Sequence, residues 1–208
     1  MGKFGFLGYD ADHRATMGKP RNKYQRFRFR EIEKKSGGTR KIVIPSASCR
    51  RTARRCLPYL QAIALTLDVD GVQHGFVPGR SPVTNALAHV GYRWTLSMDL
   101  ADFFDHVTAD NVGLQTSGLS PGKYRPFLFS GKTQDEAPTA SQGLPTSPTI
   151  ANIAFEKADR RIVKKLPAGC VYTRYADDIT ISTNEQGDLT RARWIVEDAA
   201  LLYDFKVN

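Results

Sequence analysis

Two adjacent aspartates, Asp177 and Asp178, stand in the segment TRYADDITIS among β-branched and aromatic residues that favour strands. A strand that buries itself would not carry two like charges, so the pair fits best at the tip of a hairpin. Its strands would be Val171 to Tyr175 and Ile179 to Ser182, folded about Ala176 to Asp178. Charged tips are common, but a third carboxylate changes the expectation. In WTLSMDLADFFDHV, alternation puts Leu96, Met98 and Leu100 on one face and Ser97 and Asp99 on the other, so Asp99 ends a strand with its carboxylate exposed. An aspartate there is also an ordinary helix cap, with Asp102, Phe103, Phe104 and Asp105 entering a helical turn behind it. Three carboxylates brought together repel unless hard cations neutralise them, and oxygen ligands suit Mg²⁺. Two such ions about 4 Å apart can activate a hydroxyl and stabilise a leaving pyrophosphate in an in-line displacement.

The elements that would position these carboxylates carry a lopsided charge. Of a formal net charge of +9, the stretch from Lys19 to Arg55 holds fourteen Lys or Arg against Glu31 and Glu33, so the rest of the chain is slightly acidic. One-sided charge of this kind suits a polyanion, with nucleic acid the leading partner; a solvated face kept for solubility is the alternative. RFRFREI has the period-two pattern of a half-buried strand with a cationic outer face, and KIVIP reads as its partner. Between them KKSGGTR supplies a flexible tip near Lys34, Lys35 and Arg40, either a triphosphate clamp or an ordinary exposed hairpin. SASCRRTARRCLPYLQAIALTL predicts a helix capped by Ser46 or Ser48. Arg50, Arg51, Arg54 and Arg55 share one flank suited to phosphates, and Leu60, Ile63, Ala64 and Leu67 face the core. Pro58 is expected to kink or divide this helix.

Bulk composition sets the outer bounds. At 208 residues and 41% hydrophobic content the chain can build a real core, which argues against disorder. It has no run of eighteen apolar residues and its start, MGKFGFLGYDADHR, lacks a secretory apolar stretch, so a cytoplasmic protein without membrane partners is expected. Phe6 stands where a myristoylation pattern needs Ser or Thr. Cys49, Cys56 and Cys170 lack metal-ligand spacing and read as buried reduced thiols.

The order KKSGGTRKIVIP, HGFVPGRS, SMDLADFF, QGLPTSPTIAN and YADD, from about Tyr24 to Asn208, resembles the fingers and palm of a reverse transcriptase, of the bacterial type in particular. A bare DD or QG occurs in many proteins; five motifs in this order make the likeness specific. The resemblance implies that Asp99 and Asp177 bind two catalytic Mg²⁺ ions, with Mn²⁺ a substitute, the Leu100 carbonyl a further ligand and Asp178 completing the acidic set. It implies that Lys34 or Lys35 and Arg40 grip the triphosphate and that Gln142 and Gly143 lie beside the incoming nucleotide and template. Phe104 falls on the family's steric gate, which favours dNTPs over rNTPs. Ser147 and Pro148 are expected to start a helix as N-cap and first residue, with Ile150, Ala154, Ala158 and Ile162 packing behind the site.

NALAH, Asn85 to His89, matches the NAxxH element of retron enzymes, so the retron type is expected before the group II intron type. That class implies an RNA template, a DNA or RNA primer, dNTPs, a cognate noncoding RNA and antiviral defence among its roles. The expected fold is α/β in the α+β sense: basic fingers over 1–90, then a palm over 91–208 whose antiparallel sheet, backed by helices, sets the strands of Asp99 and Asp177 side by side. Gly113 to Ser141 is expected to hold short helices and loops. LYDFKVN resembles the opening of a motif that in the family leads into a primer grip and helical thumb, so a fragment or a missing thumb-bearing chain is expected. Two other classes remain open: an RNA-binding module without synthesis, and a palm enzyme of different output such as a template-independent nucleotidyl transferase or a cyclase.

Overall fold

Alternating Phe and Arg make β1 (Phe27–Glu33), which pairs antiparallel with β2 (Thr39–Pro45), Phe27 opposite Pro45 and Glu33 opposite Thr39. Phe27 and Phe29 are half-buried and Arg28 and Arg30 exposed, as the period of two requires. The computed structural model describes residues 27–33, 37–112, 129 and 139–208. Lys34, Lys35 and Ser36 lie outside the described residues, and so does most of the Gly113 to Ser141 stretch.

Helix α1 (Ala47–Leu67) begins where the Ser46 side chain accepts the Cys49 N–H at 3.3 Å. Cys49, Ala53, Cys56, Leu60 and Ala64, at steps of three and four, form its buried face. Pro58 does not divide it: the residue lies on the exposed flank of an unbroken helix of 21 residues, where the carbonyl that proline cannot serve is accessible to water. Burial raises the thiol pKa values of Cys56 and Cys170, which keeps both protonated.

The main sheet has three antiparallel strands, β3 (Trp94–Asp99), β4 (Val171–Tyr175) and β5 (Asp178–Thr183), in the order β3-β5-β4. Residues 72–74 run along the free side of β4, with the Arg174 N–H donating to the Val72 carbonyl and the His74 N–H to the Arg174 carbonyl, both at 2.8 Å. Short helices α2 (Pro82–Leu87), α3 (Phe103–His106) and α4 (Ala109–Val112) occupy the connections. Behind the sheet lie α5 (Ser147–Lys165) and α6 (Gln186–Leu202).

The core joins α1, the sheet, α5 and α6 around Phe103, Phe155 and Phe205, whose ring centroids lie 4.9 to 5.9 Å apart. Ile150, Ala154, Ala158 and Ile162 are all buried along α5. Ile162→Ala is therefore expected to cost about 2–5 kcal/mol of unfolding free energy in urea titration. The start of α5 differs from expectation. Thr146 holds the N-cap position, with no side-chain cap bond, and Ser147 is already helical. The Ser147 hydroxyl instead donates to the Ser141 carbonyl at 2.7 Å, closing the preceding loop, which moves Pro148 to the second helical position. No helix among the described residues is long and apolar enough to cross a membrane.

Candidate active site

The acidic residues meet because of strand register. β5 pairs with β3 so that Asp178 lies directly opposite Asp99. Asp177 sits in the tight turn between β4 and β5, and its carbonyl accepts the Leu100 N–H at 3.0 Å. The turn needs a left-handed residue, supplied by Ala176 at φ 59. Gly75 backs it from the other side: a Cβ there would overlap the Ala176 nitrogen and stand 3.0 Å from the Tyr175 carbonyl carbon. At the end of β3, the Asn208 N–H donates to the Asp99 carbonyl at 2.9 Å and Asn208 Nδ2 to Asp99 Oδ2 at 2.5 Å. Asp102, at φ 45, precedes α3 but makes no side-chain cap bond.

The carboxylates lie close together, and their neighbours offset the repulsion only in part. Burial raises the Asp177 pKa, the charges of Asp99 and Asp178 raise it further, and Arg40 pulls the other way. Burial and Asp99 together raise that of Asp178. No three His, Cys, Asp or Glu among the described residues are gathered tightly enough to hold an ion by themselves. Mg²⁺ in phosphoryl transfer takes one or two carboxylates and completes its shell with water and substrate phosphates. Asp99, Asp177 and the Leu100 carbonyl offer hard oxygen donors of this kind.

A cavity of about 260 Å³ opens between the β1-β2 hairpin and α3, lined by Glu31, Arg40, Lys41, Phe104, Asp105 and Gln142; Asp99, Asp177 and Asp178 are not in its lining, and Arg40 connects it to the turn by acting on the Asp177 charge. Arg40, Phe104 and Gln142, expected separately as nucleotide contacts, thus share one cleft. The Gln142 carbonyl accepts the Val43 N–H at 2.8 Å, which ties the loop to β2. Gly143, at φ 105, lies so close to β2 that any Cβ would overlap the Val43 carbonyl oxygen.

The chain matches the family model described as reverse transcriptase (RNA-dependent DNA polymerase) over residues 32–208. It belongs to the reverse transcriptase family. It is 32% identical to the retron Mx65 reverse transcriptase of Myxococcus xanthus, across 91% of this chain and 48% of that one. The retron Mx162 reverse transcriptase of the same organism is 39% identical across 73% of this chain and 34% of its own length. The retron Ec86 reverse transcriptase of Escherichia coli is 32% identical across 81% and 52% respectively. The chain therefore spans about half, or less, of the length of these relatives. A solved apo telomerase from Candida tropicalis, truncated from its C-terminal domain, shares the fold with TM-score 0.60 at 13% identity, over 88% of this chain and 48% of that one.

Within this reverse transcriptase fold, Arg50, Arg51, Arg54 and Arg55 are exposed along α1 and do not line the cleft beside Phe104. The NALAH histidine is a clip between strands: His89 Nδ1 lies 2.9 Å from Ser182 Oγ on β5 and Nε2 2.7 Å from Thr173 Oγ1 on β4. Burial, with His74 nearby, lowers its pKa and favours the neutral ring, which can donate to one hydroxyl and accept from the other. Gly75, Asn152 and Arg174 stand in the motifs HGFVPGRS, QGLPTSPTIAN and TRYADDITIS without an expected role of their own, and Asp159 stands outside every motif. All four lie at or beneath the Asp177 turn. Arg174, two positions before Ala176 in a strand otherwise suited to burial, was the available signal, since a charge at a buried strand position requires a partner.

Proposed function

We propose that this chain forms the fingers (1–90) and palm (91–208) of a retron-type RNA-directed DNA polymerase, adding dNMP units from dNTPs to a primer 3′ hydroxyl along an RNA template. The observation that carries this is the pairing of Asp99 with Asp178 at the Asp177 turn, next to a cleft lined by Arg40, Phe104 and Gln142. Asp99, Asp177 and the Leu100 carbonyl would hold two Mg²⁺ ions, or Mn²⁺ in their place. When bound, such ions lower the pKa of the attacking hydroxyl and neutralise charge on the leaving pyrophosphate. Arg40 places a cation beside the triphosphate, and Lys34 and Lys35 are assigned to the same task. Gln142 and Gly143 fix the floor of the nucleotide site. The exposed arginines of α1 provide phosphate contacts to the template-primer, whose affinity should fall as salt rises. A cytoplasmic setting, a cognate noncoding RNA, a thumb contributed by further sequence or another chain, and a role in antiviral defence complete the proposal.

The test is primer extension on an RNA template with dNTPs and Mg²⁺, comparing the chain with its Asp177→Asn variant. Extension by the first alone supports the proposal. Silence from both with RNA binding retained would point to a fragment that needs further sequence for synthesis, or to a binding module. Phe104→Ala is expected to raise rNTP incorporation relative to dNTP by about 10- to 100-fold, because a methyl group leaves room for the 2′ hydroxyl. Unchanged sugar discrimination would remove Phe104 from the gate.

A further inference from the structure

A charged pair lies beneath the catalytic turn, out of reach of solvent. Arg174 on β4 and Asp159 on α5 both have fully buried side chains. The guanidinium is bidentate on the carboxylate, Nε to Oδ1 at 2.9 Å and Nη2 to Oδ2 at 2.7 Å. Its third nitrogen, Nη1, donates to the Ala176 carbonyl at 2.8 Å and to Asn152 Oδ1 at 3.1 Å. Asn152 Nδ2 in turn donates to the Gly75 carbonyl at 2.8 Å, so one side chain links the guanidinium to the segment that backs the turn. Tyr172 Oη and Gln73 Nε2 complete the shell of Asp159 at 2.5 and 3.2 Å. Burial opposes the guanidinium charge, and the Asp159 carboxylate outweighs it, so Arg174 stays cationic.

Buried ion pairs are poor stabilisers, because desolvation cancels most of their attraction and apolar pairs of similar volume often do as well. An apolar pair cannot hold a carbonyl. The Ala176 carbonyl belongs to the peptide that leads into Asp177, and the residue it leaves is left-handed at φ 59, a conformation that L-residues enter only when held. Asp177 therefore hangs between two fixed carbonyls, that of Ala176 on Arg174 and its own on the Leu100 N–H.

We propose that Arg174, anchored by Asp159 and Asn152, is a positioning residue that presets the Asp177 carboxylate for a divalent cation, an inference that rests on the metal-site assignment above. The role needs an arginine. A lysine keeps the charge opposite Asp159 but presents one ammonium group, which cannot bridge the carboxylate and the carbonyl with the same planar fork.

The test reads Mn²⁺ binding to the chain through the electron paramagnetic resonance signal of free Mn²⁺, with thermal melting of each variant alongside. Arg174→Met combined with Asp159→Leu removes the buried charges but leaves the Ala176 carbonyl and the Tyr172 hydroxyl without these partners, so it is expected to melt below the parent and, while folded, to bind Mn²⁺ about 10- to 100-fold more weakly, as loss of outer-shell support does at metal sites. Arg174→Lys is expected to show a similar loss of affinity with the charge balance intact, and it decides the matter if the double variant does not fold. If the parent binds Mn²⁺ no better than Asp177→Asn, the metal-site assignment fails and the proposal falls with it. If the parent exceeds Asp177→Asn while the folded Arg174 variants match the parent, the metal site stands and the positioning role is overturned.

Discussion

Replacing Asp177 by Asn is expected to lower primer extension by about a thousandfold or more, because on the proposed assignment it removes a cation ligand whose contribution would be several kcal/mol of transition-state stabilisation. RNA affinity should change little, since the substitution leaves the arginine flank of α1 untouched. The same variant carries a second expectation that an ordinary inactivating change would not. Burial and the charges of Asp99 and Asp178 raise the Asp177 pKa, so the ionised carboxylate works against the native state. A raised carboxylate pKa means that the folded chain binds the proton more tightly than the unfolded one. The metal-free parent should therefore lose stability as pH rises from the ordinary carboxylate range through the folded pKa, and Asp177→Asn should show a smaller step, the part that Asp178 contributes. At neutral pH without divalent cations the variant should melt higher than the parent, and added Mn²⁺ should narrow or reverse the difference by stabilising only the parent. Activity of the parent should fall in acid at a pH above that of an unperturbed aspartate when Mg²⁺ is limiting. Equal melting and equal activity in both chains would remove Asp177 from the site.

What the sequence made legible follows the range of the interactions involved. Phe27 to Arg30 alternate within a few residues, so β1 and its exposed arginines could be read directly. Asp177 and Asp178 interrupt a β-branched run, so the hairpin was visible, although Asp178 belongs to β5 and not to the tip; the strand end at Asp99 was visible from alternation. The division expected at Pro58 and the cap expected at Ser147 did not occur because both follow from local rules that leave out the surroundings. The proline lies on the solvent side of a helix that packing sustains, and the serine hydroxyl finds the Ser141 carbonyl before it finds a helix amide. The brace under the site was illegible for a different reason. Gln73 and Asp159 are 86 positions apart, and Gly75 touches Ala176 only because residues 72–74 lie along β4. No periodicity or turn rule encodes such pairings.

Gly75 gives the second large effect. Alanine at this position is expected to lower activity by about a hundredfold, the loss that a displacement of order 1 Å brings to a preorganised site. The added Cβ would collide with backbone, the Ala176 nitrogen and the Tyr175 carbonyl carbon, and not with a side chain that could swing aside. Neither partner in the collision is free to move. The Gly75 carbonyl accepts from Asn152, His74 is bonded to Arg174, and the turn is fixed by Arg174 and Leu100. Something must shift by several tenths of an ångström, and every candidate lies within a residue or two of Asp177 or of the guanidinium that supports it. The accompanying loss of stability should be about 1–3 kcal/mol, the usual cost of overpacking. Gly79→Ala separates the two consequences. Gly79 has φ 79 and open space around it, so its alanine variant should lose stability through backbone conformation alone and leave the turn in place. Assayed at a temperature where both variants are fully folded, Gly79→Ala should retain activity near that of the parent while Gly75→Ala does not. If the two lose activity in parallel, the effect is one of stability, and the close approach of Gly75 to the catalytic turn has no bearing on where Asp177 sits.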